Sequence, residues 1–306
     1  MLELLQKIVD GLELFVGWVV SSAWLPPKDF VLWKWLVVPG FGYGIVLVAI
    51  AIAEQFRPAE KRSWERRSLL SGTYLVLAGK LGTYAFLVVP LLRKAWLALD
   101  LPSLHLDRVL PGPIYTIVGM LVFTFIGYWA HRLMHRVPVL WHIHKVHHSV
   151  TNLNWTSIYH FHFLELLLAA PGHAIASLAL GTDLVAPFGI IFLTLDVLGH
   201  ANVNVNLGRF SYVLSTPQAH RVHHSREPRH YDTNFGTAIM LWDHVFGTFY
   251  YDPKDPATVF GVTEDIPTSF WKQQVSPLVW IAQTTRESFR RRFRRKDPAT
   301  ERADAA

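Results

Sequence analysis

The sequence predicts an all-α integral membrane protein of about four transmembrane helices, with a short or interfacial helix before them and a cytoplasmic, histidine-rich helical cap. Three observations predict it. Of 306 residues, 51% are hydrophobic and 17% charged, with twelve tryptophans and a mean hydropathy of +0.24, too apolar for an ordinary soluble domain. The apolar residues fall in runs of about twenty, the helical length that crosses roughly 30 Å of hydrocarbon. The sixteen histidines cluster at and beyond the ends of those runs instead of scattering.

The elements follow in chain order. The N-terminal MLELLQKIVDGLELFVGWVVSSAWL has Glu3, Asp10 and Glu13 where a secretory signal would carry basic residues, so it reads as a retained, interfacial or partly inserted helix over Leu12 to Leu25. Val31 to Ala53 is the first full span. Its GFGYG lacks the strand and phosphate-binding helix of a nucleotide loop, and Gly40 and Gly44 at a four-residue spacing suit close helix packing instead. The basic RPAEKRSWERR that follows places this end in the cytoplasm. Leu69 to Leu92 returns, with Lys80 near its middle facing the bundle or a polar cavity. Arg93 to Pro113 is an external loop, and Ile114 to Ala130 crosses back, its helix running on into His131 and His135. The apolar run from Phe163 to Gly199 is too long for one span, and GTD at Gly181 to Asp183 with Pro187 breaks it into a hairpin of two arms. A hairpin starts and ends on one face, so His160 and His162 before it and His200 after it can meet the other histidines at one cytoplasmic surface.

From Asn202 the chain turns polar, as a cap would. TVFGVTEDIPTSFWKQQV reads as surface loop and short helix, and RESFRRRFRRK as a basic helix with Phe289 and Phe293 one turn apart. Positive charge concentrates in Arg57 to Arg67 and Arg286 to Lys296, a pattern that suits anionic membrane lipid and not nucleic acid. There is no internal repeat. With no cysteine, disulfides, thiolate zinc sites and iron–sulfur clusters held by the chain's own cysteines are excluded, and any metal must use nitrogen and oxygen ligands.

The histidines carry the chemistry. His131 and His135 stand at i and i+4, and His144, His147 and His148 repeat a spacing that returns at His220, His223 and His224. Positions i, i+3 and i+4 share a helix face, and imidazole is the commonest side-chain metal ligand. Eight ligands exceed what one ion takes, so two metals are expected, with His162 and His200 at the hairpin's ends as ninth and tenth ligands. Imidazole alone does not choose between zinc and iron. Facing an apolar bundle, the centre suits dioxygen chemistry on a lipid C–H bond, while hydrolysis by a zinc pair stays open.

H-x3-H at His131 and His135, H-x2-HH in WHIHKVHHS and again in STPQAHRVHHS, and the trailing YDTNFGTAIMLWDHVFGTFY resemble the fatty acid hydroxylase and sterol desaturase superfamily over about residues 114 to 252. The resemblance implies a membrane-embedded, non-haem enzyme with two iron ions that uses O2 and reducing equivalents to hydroxylate or desaturate a sterol, acyl chain or related lipid. It implies three parts: membrane helices over 1–113, a catalytic domain over 114–252, and a cytoplasmic C-terminal segment over 253–306. The eight box histidines are then ligands, HAN at His200 to Asn202 matches the family's further histidine, and HFHFLE puts His162 at a ligand position. His142, His160 and His244 stand where other residues are common and fall outside the ligand set. His105, His173 and His230 match no box.

A ligating imidazole donates its other N–H to an acceptor, which makes Glu165, Asp196, Asp232, Asp243 and Asn202 candidate partners, with Asn234 beside them. No nicotinamide, flavin or haem fingerprint is present, so electrons must come from a separate reductase. The substrate is lipid, and the site lies on the cytoplasmic side of the membrane, the inner membrane in a bacterium.

Overall fold

A computed structural model describes residues 30–60, 88–181, 185–205, 207–254 and 256–294. Among them the chain is helical, with isolated bridges but no strand. The N-terminal helix and most of the span at Leu69 to Leu92, with Lys80, lie outside the described residues.

Helix α1 (Phe30–Phe56) contains the first expected span. Helix α2 (Val89–Ala98) carries on past Leu92, because Leu91, Leu92, Ala95, Trp96 and Leu97 continue the apolar pattern through Arg93 and Lys94; the external loop expected from Arg93 therefore begins one to two turns later, with the short α3 (Leu106–Val109) inside it. Helix α4 (Gly112–Arg136) has Pro113 in its first turn and runs unbroken through His131 and His135, as the spacing predicts. The hairpin is present as α6 (Leu166–Leu180) and α7 (Val185–His200). Its first arm ends on Gly181, whose φ of +70° suits a residue without Cβ.

Two helices, Gly112–Arg136 and the stretch Phe163–Leu180, are long and apolar enough to cross a membrane, with mean hydropathies of 1.5 and 1.6. Only 11% and 12% of those windows is buried within the protein, which leaves most of this apolar surface uncovered by the rest of the described chain.

The rest of the chain packs on one end of these helices. Helix α5 (Pro138–His148) folds back on α4, and α8 (Pro217–His223) lies against the end of α7. The short α9 (Leu241–Val245) docks on α4: Trp242 Nε1 donates to Thr124 Oγ1 at 3.0 Å, and Phe246 stacks on Tyr128. Glu54 at the end of α1 accepts the backbone N–H groups of Trp155 and Asn202, both at 2.7 Å, which ties α1 to the segments on either side of the hairpin. Of the stretch read as loop and short helix, 258–269 is irregular as expected, while the helix that begins at Phe270 is not short but runs for 25 residues as α10 (Phe270–Arg294) and covers α5; Pro277 sits inside it without ending it.

Candidate metal centre

Local chemistry brings the histidines together. Proline disfavours a helical conformation in the residue before it, so Val137 is extended (φ −99°, ψ 114°) ahead of Pro138. The chain turns there, and α5 returns His144 and His148 to His131 and His135. Helix α8 begins on a Thr216 side chain that accepts the Ala219 N–H, with Pro217 at its first position, and presents His220, His223 and His224. Gly199 lets the end of α7 approach: a Cβ there would sit 3.3 Å from the His220 side chain.

Nine histidines converge in two groups, His131, His135, His144, His148 and His223 in one and His147, His200, His220 and His224 in the other, each offering nitrogens within 4.8 Å of one another. The boxes do not map one to one onto the groups. In each H-x2-HH box the first and last histidines, i and i+4, turn to the same group, while the middle one crosses to the other. His147 and His223 exchange places in this way, so the expectation that His144, His147 and His148 point together holds for only two of them.

Hydrogen bonds set the tautomers. His131 Nδ1 donates to the Phe235 carbonyl and His223 Nδ1 to that of Thr233, both at 2.8 Å. His147 Nδ1 donates to the His160 carbonyl at 3.1 Å and His200 Nδ1 to that of Asp196 at 2.7 Å. His144 Nδ1 donates to Glu165 Oε2 at 3.2 Å. Each of these neutral rings keeps a bare lone pair on Nε2. Yet His147 Nε2 and His200 Nε2 face each other at 3.1 Å, and His200 Nε2 also faces Nε2 of His220 and His224 at 3.1 and 3.2 Å. Two lone pairs cannot bond each other, and one cannot satisfy three facing rings. In the other group, Nε2 of His131, His135 and His223 is buried with no hydrogen-bond partner; such an orphaned polar atom costs about 1–3 kcal/mol. A cation shared by the nitrogens removes the conflict: ligands roughly 2.1 Å from one ion lie about 3.0 to 3.4 Å apart. The residues fit a metal pair.

The electrostatics agree. Burial holds the imidazolium form of His144 down to a pKa of about 3, and burial first, then the facing imidazoles, holds His148, His220 and His224 well below the usual histidine range. These rings are neutral at neutral pH.

Residues 116–248 match the fatty acid hydroxylase family. That stretch, less than half of the chain, holds all three histidine boxes, and over it the chain is similar to this family. An ornithine lipid hydroxylase of Rhizobium tropici is 29% identical over 77% of this chain and 74% of its own length. Alkylglycerol monooxygenases of Xenopus tropicalis and Homo sapiens are 31% and 30% identical over 47% and 46% of this chain. The matched region spans about a third of those proteins, 33% and 31%. No solved structure matches the chain.

Outside the two histidine groups the remaining expected residues separate clearly. His162 is not brought into either group: its Nε2 donates to the Gln274 carbonyl at 2.8 Å and its Nδ1 accepts the Leu164 N–H at 3.1 Å. The sequence could not show that Gln274 would arrive on α10 to occupy it. Glu165, three residues after His162, meets His144 instead. Asp196 meets His200 through its backbone carbonyl, with its carboxylate at 3.6 Å. Asp243, fully buried, touches no ligand but accepts the N–H groups of Phe235 and Gly236 at 2.7 and 2.8 Å and the Thr248 hydroxyl at 2.7 Å; burial raises its pKa. It thereby fixes the Phe235 carbonyl that orients His131. Asp232 pairs with Arg136 at 3.3 Å, and Asn202 with the backbone of Glu60, so neither reaches a histidine. Asn234, with φ +56°, bridges the backbone of Ala219 and Tyr250.

His142 and His244 bond Thr284 Oγ1 and the Tyr212 carbonyl, outside both groups. His160 contributes its carbonyl, with its ring against Ser149. The residue that the spacing gave no reason to single out is Trp141, whose half-buried ring lies 5.2 Å from His135 and 5.5 Å from His148 between centroids.

Proposed function

We propose that the chain is a membrane-embedded, non-haem di-iron oxygenase that uses O2 and electrons from a separate reductase to hydroxylate, or desaturate, a C–H bond of a lipid. One iron would be held by His131, His135, His144, His148 and His223, the other by His147, His200, His220 and His224. The observation that carries the reading is the convergence of buried Nε2 lone pairs whose opposite nitrogens are tied to carbonyls. Five imidazoles in one group exceed the four ligands usual for zinc and suit iron.

When bound, the irons supply dioxygen activation and the oxidising power for C–H cleavage. The chain's residues do the rest. The carbonyls of Phe235, Thr233, His160 and Asp196 and the Glu165 carboxylate hold the Nδ1 protons of His131, His223, His147, His200 and His144 in place, so that Nε2 of these five rings is fixed as a donor to metal. Burial of the rings excludes water from the reaction. The apolar helices α4 and α6 end beside the groups and present a lipid chain to them, with the site on the cytoplasmic side. The relatives' names, ornithine lipid hydroxylase and alkylglycerol monooxygenase, favour a polar lipid whose aliphatic part is attacked.

The test is anaerobic purification with metal analysis, followed by lipid profiling of cells with and without the protein under labelled oxygen. The expected result is about two irons per chain and a lipid product that gains labelled oxygen, or loses two hydrogens, only with the protein present. An active preparation that holds zinc alone, or turnover that continues without oxygen, refutes it.

A further inference from the structure

Helix α10 has two unlike faces. One is turned to the protein: Gln273, Gln274 and Pro277 are buried and Trp280 half-buried. Through this face Gln274 bonds the backbone of Phe161 and Phe163 as well as His162, at 3.3, 2.9 and 2.8 Å. Further along, Thr284 bonds His142, and Trp280 lies under the Lys145 ammonium at 4.1 Å.

The opposite face is apolar and open. Trp271, Val275, Leu278 and Val279 are 68, 57, 50 and 48% exposed, spaced i, i+4, i+7 and i+8 so that they form one stripe. At 3.6 residues per turn the same stripe passes through Ala282 and Arg286 to Phe289, itself 62% exposed. Exposed Lys272 and Arg290 flank it, and the sequence continues Arg291, Arg292, Arg294, Arg295 and Lys296 against a single acid, Glu287, in the helix. An apolar stripe bordered by cations is the pattern of a helix lying in a membrane interface, and the excess positive charge selects an anionic surface.

We infer that α10 lies in the plane of an anionic lipid leaflet, its Trp271–Val279 stripe among the acyl chains and its basic end among the head groups, while its inner face holds the 161–163 segment. That segment directly follows His160, whose carbonyl orients His147, so the leaflet helps to hold the wall of one histidine group in place.

The chain has no cysteine, so single cysteines carry a nitroxide label cleanly. Val275→Cys and Val279→Cys probe the stripe, and Gln283→Cys and Glu287→Cys the flank, each in the full chain reconstituted in phosphatidylcholine discs with or without phosphatidylglycerol. The expected result is that the first two labels are several-fold more accessible to oxygen than to a water-soluble nickel chelate, the flank labels the reverse, with the contrast deepening when phosphatidylglycerol is present. Replacing Arg286 and Arg290 together with Gln should remove the deepening; a contrast that persists unchanged refutes the anionic preference. Four labels equally open to nickel refute insertion, and stripe labels shielded from both reagents indicate contact with a second copy and refute it too. Metal content and thermal midpoint, read on every variant, identify any that fails to fold, for which Val275→Ser with brominated-lipid quenching of tryptophan serves instead.

Discussion

The two histidine groups are built from the same boxes but differ in how they are supported. The five-histidine group includes the half-buried His135, has Trp141 against it, and leans on a carboxylate, Glu165, and on the 233–235 loop. The four-histidine group is buried throughout and centres on His200, whose Nε2 faces three other rings, with backbone carbonyls as its supports. One group approaches the surface and is held partly by a titratable side chain; the other is sealed and held by main chain. Because each H-x2-HH box sends one histidine across, neither box belongs to one group, and damage to a box should reach both.

His200 stands outside the boxes and serves a single group, and its removal gives the largest contrast. His200→Ala is expected to reduce product formation at least about 100-fold and to lower the bound metal from about two ions per chain to one, measured by elemental analysis beside turnover. Retention of both ions would mean that the four-histidine group is not a site.

Gly236→Ala attacks the other group through its scaffold. A Cβ at Gly236 would lie 2.4 Å from the Ile239 carbonyl and 2.7 Å from Asp243 Oδ2, closer than atoms pack, so the loop must shift and carry the Phe235 carbonyl away from His131. The expected cost is about 1–3 kcal/mol of stability, seen as a lower thermal midpoint, with iron lost first from the five-histidine group. Glu165→Ala is milder and more local: metal affinity of that group alone should fall about 10–100-fold, measured by competition with a chelator. Equal loss from both groups would contradict the division between them.

Acidification tests the neutral state of the rings in the metal-free protein. His144 is held to a pKa of about 3 by burial, against 6.5 for the free residue. Above pH 6.5 folded and unfolded chains are both neutral there and stability is full. As pH falls below 6.5 the unfolded chain takes up a proton that the folded one refuses, and stability drops by about 1.4 kcal/mol per pH unit for one such group until about pH 3. Thermal unfolding at pH 7.5 and 5.5 measures it; an unchanged midpoint contradicts burial in the neutral form.

Much of this was legible in the sequence because periodicity is local. The i and i+4 histidines, the apolar lengths of α1 and α4 and the Gly181 turn are each decided within a few residues. What stayed hidden depends on distant segments. Carbonyl partners such as Phe235 and Thr233 carry no side-chain signal. Asp243 acts at one remove, through backbone N–H groups that are seven and eight residues away. The crossing of His147 and His223 requires two helices to flank a common centre, which spacing within one helix cannot report. The extent of α10 was obscured by Pro277, which reads as a stop but sits within a helix held against α5 by tertiary contacts.

His162 shows the limit most sharply, and its substitution is the smallest effect expected. Spacing and family pattern both place it among the ligands, yet both of its ring nitrogens are spent on backbone groups, Gln274 and Leu164. His162→Ala should therefore keep about two metal ions per chain and lose only the bond to the Gln274 carbonyl on α10 and the one from the Leu164 N–H, about 1 kcal/mol each. His162→Gln, able to donate to the Gln274 carbonyl, should recover part of that stability without changing metal content. If instead His162→Ala releases an ion as His200→Ala does, the ring must turn from Gln274 toward metal in the loaded protein, and the four-histidine group would gain a fifth ligand, erasing the numerical difference between the two.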